Sequence, residues 1–400
     1  MLQNIQAKKV LIRVDFNVPL DNSHNITDDT RMRKALPTIN HVLDKGGAVI
    51  LMSHLGRPQK KKLPDGSIDR EKFSLRHIVS HLSELLGREV KFATDTIGDN
   101  AFDLAHSLKP REVLVIENTR FEAGETKGDD EMAAKLAKLA DAYINDAFGA
   151  AHRSHTSTTT VAKYFEKENK SLGYLMETEI SSAKKVLNSP ARPFTGILGG
   201  AKVSDKILLI ERLLEVCDHL LIGGGMTYTF IAAMGGEIGN SLVERDQIDL
   251  AKDLLARAKD SNVEIHFPED SIIADNFAAD AAHKTTTTTQ IPTGWMGLDI
   301  GDKAIDAYTK VIMGSKTVLW NGPLGVFEFE NFSKGTFSVA NAVAEATSKG
   351  AFTLIGGGDS VSAINKSGLS DKVSFISTGG GAMLEFLEGK TLPGIKAVTS

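Results

Sequence analysis

Eleven short apolar runs recur along this chain, most of them separated by segments of helical spacing, and that alternation leaves few folds open. The runs are VLIRVDF, AVILMSH, EVKFA, EVLVIEN, AYINDAF, FTGILGG, HLLIGGG, EIHFPED, TVLWNGP, AFTLIGGG and VSFISTGGG. Between them, stretches such as Asp130–Leu139, Asp205–Val216 and Asp246–Lys259 space their apolar residues as helices do. Strands alternating with helices specify βαβ units and parallel sheets. Runs that are apolar throughout, not at every second residue, belong to sheets covered on both faces. At 400 residues the chain exceeds the roughly 250–300 at which one core stops growing. The expected fold class is therefore α/β, with two Rossmann-like doubly wound parallel-sheet domains.

The division is expected near residues 165–192. FEKENKS reads as a polar loop, and GYLMETEISSAKKVLNS as one amphipathic helix closed by Pro190 and Pro193. Such a helix is either a hinge or an ordinary surface element. The expected boundaries are 1–170, a hinge helix at 171–190, 191–388, and a terminal segment at 389–400 that packs back on the first domain. Threonines 285–289 read as a strand approaching GWMGLDIG, since threonine favours strands.

Charge separates the halves. Residues 1–176 hold 26 Lys+Arg against 24 Asp+Glu, a balance of +2, while the rest hold 20 against 27, or −7. Ten of the fourteen arginines lie in the first part. Arginine suits bidentate recognition of phosphate and carboxylate, so one domain is expected to receive a small anion. A nucleic-acid binder would show a basic stripe and high pI. The single cysteine, Cys217, excludes an internal disulfide and reads as a buried thiol in a reducing compartment. No apolar stretch has membrane-spanning length and no signal-peptide pattern opens the chain, so the expected location is cytoplasmic.

In open α/β sheets ligands sit beyond the carboxyl ends of strands. In the first domain those ends supply Asp15, Asn17, His54, Arg57, Arg120, His152, Arg153 and His155, with Arg31 near a helix start. Each arginine alone reads as a solvated surface group. Several converging at strand ends need an anionic ligand, because uncompensated buried charge is costly. Asp15 and Asn17, at i and i+2, are placed to bind a hydroxyl.

In the second domain the strand ends are rich in glycine. Glycine lets backbone N–H groups close on phosphate, and a following helix N-terminus favours the anion. Lys202 and Lys206, four apart, would share a helix face. Tight turns also use glycine, so one run decides nothing; three after three strands favour a nucleotide site. No GxxxxGK[ST] occurs, and no GxGxxG with its distant acidic partner, which excludes the two commonest nucleotide motifs. In LIGGGDS, Asp359 is placed to offer Mg²⁺ a hard carboxylate, with Gly356, Gly357, Gly358 and Ser360 toward the phosphates. The alternative is an aspartate capping the helix.

The motifs VDFNVP, SHLGRP, ENTRF, NDAFGAAHR, GGAKVSDK, GGGM, GWMGLDIG, WNGPLGVFE, GGGDS and STGGGA, in this order, resemble those of the phosphoglycerate kinase family from residue 10 to about 394. The resemblance implies Mg²⁺-dependent phosphoryl transfer between 1,3-bisphosphoglycerate and ADP, by a monomer with ADP or ATP as co-substrate. It assigns phosphoglycerate to Asp15, Asn17, Arg31, His54, Arg57, Arg120 and Arg153. It sets Lys202 beside the transferred phosphate, Lys206 on the nucleotide phosphates, Glu328 on the ribose, and Gly297, Pro323 and Val326 around adenine. Magnesium falls to Asp359, and Arg31, Lys202, Gly357 and Gly379 are the catalytic set. The segment before the first strand is shorter than is usual, Thr160 replaces a frequent glycine, and threonines 285–289 are atypical; none is a carried-over ligand. A Rossmann-type dehydrogenase with a basic substrate domain is the alternative activity, and a silent binding protein on the same scaffold a third reading.

Overall fold

The structure, a computed structural model, describes residues 1–400. It divides into two units, Met1–Ile180 with Thr391–Ser400, and Ser181–Lys390. The division falls inside the helix Tyr174–Leu187.

In the first unit β1 (Lys9–Val14), β2 (Ala48–Met52), β3 (Val90–Phe92), β4 (Val113–Val115), β5 (Ala142–Asp146) and β6 (Lys170–Leu172) form one parallel sheet, ordered β3-β4-β2-β1-β5-β6. Its inner strands are largely apolar because both faces are covered. Val10, Ile12 and Val14 of β1 enter one core with Met32, Ala35 and Ile39 from the helix Thr30–Asp44. Leu11, one residue out of phase, enters the other with Ala101, Ala105, Met132 and Leu136. Residues 391–400 return to this unit, where the Asn145 amide donates to Gly394 O and Val398 joins the second core.

The loop reading of FEKENKS needs correction at its end, because Lys170–Leu172 pairs with Tyr143–Asn145 as the edge strand β6. Three residues with one aliphatic side chain carry no periodicity. The partner strand defines this one, and Lys170 Nζ secures it by donating to Ala397 O.

The second unit contains β7 (Phe194–Leu198), β8 (His219–Ile222), β9 (Glu237–Ile238), β10 (Glu264–His266), β11 (Asp270–Ala274), β12 (His283–Thr287), β13 (Gln290–Ile291), β14 (Met296–Ile300), β15 (Thr317–Asn321), β16 (Phe352–Gly356) and β17 (Phe375–Ile376). The main parallel sheet runs β10-β8-β7-β15-β16-β17. Counted among themselves those six strands are ordered 3-2-1-4-5-6, which puts the topological switch between β7 and β15, where ligands of such sheets bind. Of the threonine run, Thr285–Thr287 lie in a strand, β12, antiparallel to β11, whose other neighbour is β14, while Thr288 and Thr289 form the turn after it. No helix is long and apolar enough to cross a membrane.

Candidate active site

At the carboxyl end of β1 the chain turns out and is tied to its neighbours by side chains. Asp15 Oδ1 accepts the Asn17 N–H at 3.3 Å, and Asp15 Oδ2 accepts from Arg31 Nη1 at 3.2 Å. Arg31, in the first turn of its helix, also donates to Asn17 O at 3.1 Å. Asn17 Oδ1 accepts the Gly56 N–H at 2.8 Å, which joins the ends of β1 and β2. Arg120 Nη1 donates to Gly56 O at 2.6 Å. Buried Asn118 sets this geometry: its amide donates to Leu55 O and Phe73 O, and its Oδ1 accepts from Leu55 N and Arg120 N.

The structure therefore brings Asp15, Asn17, Arg31, His54 and Arg120 into one connected cluster. Arg57, Arg120 and Arg153 line a cavity of about 320 Å³ beside it. Sequence reading missed Arg13, which lies inside β1 and is 1% exposed. It donates to Ser157 Oγ at 2.8 Å and approaches His54 Nδ1 at 3.0 Å. Its signal was a charge within VLIRV, a position where burial demands a reason. Ser157 in turn donates to the buried Glu125 carboxylate at 2.6 Å.

Among Arg13, Arg31, Arg57, Arg120 and Arg153, the one ion pair within 4.0 Å is Arg31–Asp15. Arg120 Nε is buried with no hydrogen-bond partner. The surplus positive charge registers on its neighbours. Burial, then Arg13 and Arg153, pull Arg120 down to about 10. Burial first, then the repulsion of Arg120, Arg13 and Arg153, drop His155 to about 4. Burial and the same field, led by Arg13 and Arg120, hold His54 well below its usual value. Both imidazoles are thus neutral at pH 7, among five arginines of which only Arg31 has a carboxylate within 4.0 Å.

In the second unit the glycine runs divide the work unequally. Gly199, Gly200, Gly223, Gly224 and Gly322 let the loops after β7, β8 and β15 interlock. A Cβ on Gly199 would stand 2.0 Å from Pro323 O, and one on Gly322 2.3 Å from Gly199 O. The Gly199, Gly200, Gly223 and Gly224 amides donate to Asn321 O, Pro323 O, Leu198 O and Leu324 O. These glycines are used in packing. The Gly356–Gly358 run differs, because Gly357 (φ 90°) turns the chain into the helix Gly358–Lys366 and a Cβ on Gly358 would meet nothing within 4 Å.

Asp359 does not cap that helix; Gly357 occupies the N-cap position. The Asp359 carboxylate is exposed in the first turn, free of hydrogen bonds and ion pairs, and as a hard, unengaged oxygen donor it fits Mg²⁺. Ser360 departs from expectation. Its side chain is fully buried and its Oγ accepts the Gly322 N–H at 2.5 Å, so the hydroxyl faces the interior of the loop cluster. The Gly379 N–H likewise donates to Ser377 Oγ at 3.0 Å.

The shared helix face expected for Lys202 and Lys206 is absent. The helix begins at Ile207 after a single 3-10 turn, Ser204–Lys206, and Lys202 lies in irregular chain. Glu244 captures Ser204, accepting its N–H at 3.0 Å, and holds this segment in the 3-10 turn that precedes the helix. Lys202 is exposed, whereas Lys206 donates to Asn321 O at 3.2 Å and to Asn321 Oδ1. Burial lowers Lys206 to about 8, against the attraction of Asp359. Asn321 was not foreseen, yet it joins Lys206 to the Gly357 turn.

Gly297 and Val326 are neighbours, since the Val326 N–H donates to Leu298 O, and Pro323 and exposed Glu328 flank Val326 in the same loop. Gly297 also has a packing reason, because a Cβ there would overlap Tyr228 Oη.

The sequence matches the family model "Phosphoglycerate kinase" over residues 2–390. The chain belongs to the phosphoglycerate kinase family. It is 51% identical over 418 residues to a phosphoglycerate kinase of Porphyromonas gingivalis, covering 99% of this chain and 98% of that protein. It is 51% identical over 395 residues to the cytosolic phosphoglycerate kinase 3 of Arabidopsis thaliana, covering 99% and 96%. The structure of phosphoglycerate kinase from Coxiella burnetii superposes with TM-score 0.87 at 38% identity, covering 99% and 97%. The protein is thus a phosphotransferase acting on phosphoglycerate and nucleotide, and the dehydrogenase reading is not favoured.

Proposed function

We propose that the first unit holds phosphoglycerate and the second holds magnesium nucleotide, with phosphoryl transfer achieved by charge neutralisation and no general base. The observation that carries this reading is the set of arginines with one carboxylate partner among them, gathered around histidines that stay neutral. Arg57, Arg120 and Arg153 take the phosphate. Arg31 with Asp15, Asn17 and His54 orient the hydroxyl and carboxyl end.

In the second unit Lys206 and the open helix N-terminus at Gly357–Asp359 take the nucleotide phosphates. Lys202, exposed and unpartnered, is free to follow the transferred group. Gly297, Pro323 and Val326 form the adenine wall, with Glu328 at the ribose. Asp359 would hold Mg²⁺, which supplies charge neutralisation on the phosphate oxygens when bound. Ser360 and Gly379 act by shaping the loops, through the bonds their hydroxyl and amide already make.

In the ATP-consuming direction the nucleophile is a carboxylate with an ordinary pKa of about 3.5, already ionised at neutral pH. Repulsion between it and the polyphosphate is the obstacle, so positioned cations and N–H donors do the work. The reactants belong to separate units, and we place the bend that unites them in the helix Tyr174–Leu187. Scattering profiles that are identical with and without both substrates would contradict that bend. We further place the protein in the cytoplasm as a monomer without nucleic-acid partners, from its mild charge balance and single cysteine.

The test of base-free transfer is His54→Gln and His155→Gln. A general base contributes about 10²–10⁴-fold to the rate. We expect maximal turnover to stay within about tenfold of wild type, well short of that contribution, with losses confined to KM for 3-phosphoglycerate. A fall in turnover that reaches the general-base range, with loss of a pH-dependent limb, would refute the reading.

A further inference from the structure

Away from the nucleotide loops, the second unit gathers two histidines and a carboxylate at the edge of its sheet. His219 opens β8, and Glu264 and His266 lie on the edge strand β10, with Glu264 in register with His219. Residues two apart on a strand share a face, so one side of this edge carries all three. His219 Nδ1 lies 3.2 Å from His266 Nε2 and 3.4 Å from Glu264 Oε2, and His266 Nε2 lies 3.7 Å from the same oxygen.

We propose that His219, Glu264 and His266 form a site for a borderline divalent metal ion, with Zn²⁺ as the best match. Tetrahedral zinc with bonds of about 2.0–2.2 Å separates its ligand atoms by about 3.3–3.6 Å. The three observed separations bracket that edge length, so an ion enters with small side-chain movements. Two imidazoles and one carboxylate leave a fourth position for water, as in open zinc sites. The backbone is fixed in advance, since buried Tyr308 donates toward Ile222 O at 2.6 Å and His266 O at 3.0 Å and so joins the two strand ends.

A second group is formed by His24, Glu71 and His77. Its ligand atoms lie within 4.8 Å of one another, but His77 Nε2 is already engaged by the Glu71 carbonyl at 2.7 Å and its ring stacks on His24 at 4.1 Å, so binding an ion there means breaking that contact. From β8 to β16 is three strand spacings, about 14 Å across the sheet, so the site is independent of the magnesium position proposed at Asp359.

The experiment is titration of chelator-stripped protein with Zn²⁺ in competition with a chromophoric chelator, followed by Co²⁺ as a spectroscopic probe. We expect one equivalent bound at micromolar or tighter affinity, with the visible bands of tetrahedral Co²⁺. Removing a group that only supports a metal ligand costs about 10–100-fold, so His219→Ala and His266→Ala, which remove ligands, should each weaken binding by at least about 100-fold. Glu264→Gln should weaken it less, and His77→Ala should leave it unchanged. Each variant should keep wild-type turnover and melting temperature, which separates ligand loss from misfolding. Zinc binding of unchanged affinity in His219→Ala and His266→Ala, or none at micromolar zinc in the wild type, would overturn the assignment.

Discussion

Arg120 offers the sharpest separation of binding from folding. It is 8% exposed, donates one bond to Gly56 O at 2.6 Å, and keeps a buried Nε without partner. At pH 7 it remains charged, since burial and its arginine neighbours lower it only to about 10. Arg120→Gln removes one charge-assisted bond to the anion, worth about 1.5–3 kcal/mol. At about 1.4 kcal/mol per tenfold, that is roughly a 10- to 150-fold loss of 3-phosphoglycerate affinity. The folded state loses its charge-assisted bond to Gly56, about 1.5–3 kcal/mol, but is relieved of desolvation and of repulsion from Arg13 and Arg153, so net stability should change by less than about 2 kcal/mol. Calorimetric titration of 3-phosphoglycerate and of MgADP, each alone, reads both halves. We expect the first to weaken and the second to stay within about twofold of wild type, since the proposed nucleotide site lies in the other unit. Unchanged 3-phosphoglycerate affinity, or equal loss of both ligands, would refute the reasoning. Arg120→Lys should recover little, because an ammonium cannot hold Gly56 and reach the anion together.

Gly199→Ala should cost about 2–4 kcal/mol, because its Cβ meets backbone at 2.0 Å and parts two interloop bonds; a melting temperature equal to wild type would contradict the packing role. His155, near 4 when folded and 6.5 when unfolded, leaves the unfolded chain holding the extra proton between those values. Stability should therefore rise with pH from about 4 to 6.5, and His155→Gln should flatten part of that slope in thermal melts. Lys206, near 8, should take up a proton when nucleotide phosphates approach. Calorimetry of MgADP binding slightly above that pH, in buffers of different ionisation enthalpy, should show uptake that Lys206→Met abolishes.

Much of this was legible in the sequence because two-sided burial makes each central strand mostly apolar, and ligands collect where such strands end. What escaped reading was set by partners distant in the chain. β6 exists because Tyr143–Asn145 offers it a ladder, and its own three residues carry no pattern. Lys202 and Lys206 have helical spacing, but the Glu244–Ser204 contact, made by a residue forty positions away, accompanies a 3-10 turn and the helix begins only at Ile207. Glycine could not be assigned to packing or to phosphate until the loops it touches were in place; a Cβ on Gly358, Gly380 or Gly381 would meet nothing, whereas one on Gly199, Gly223 or Gly322 would meet a neighbouring loop. Arg13, Asn118 and Asn321 organise both sites from positions whose meaning lies in their hydrogen bonds.

The central claim is best tested by phosphorylation of 3-phosphoglycerate with MgATP, followed as NADH loss through added glyceraldehyde-phosphate dehydrogenase, in wild type and Asp359→Ala side by side. We expect strong wild-type turnover and a collapse of at least about 100-fold in the variant, the scale of losing a main source of transition-state charge stabilisation. Turnover that survives the substitution with its magnesium dependence intact would contradict the site built around Asp359.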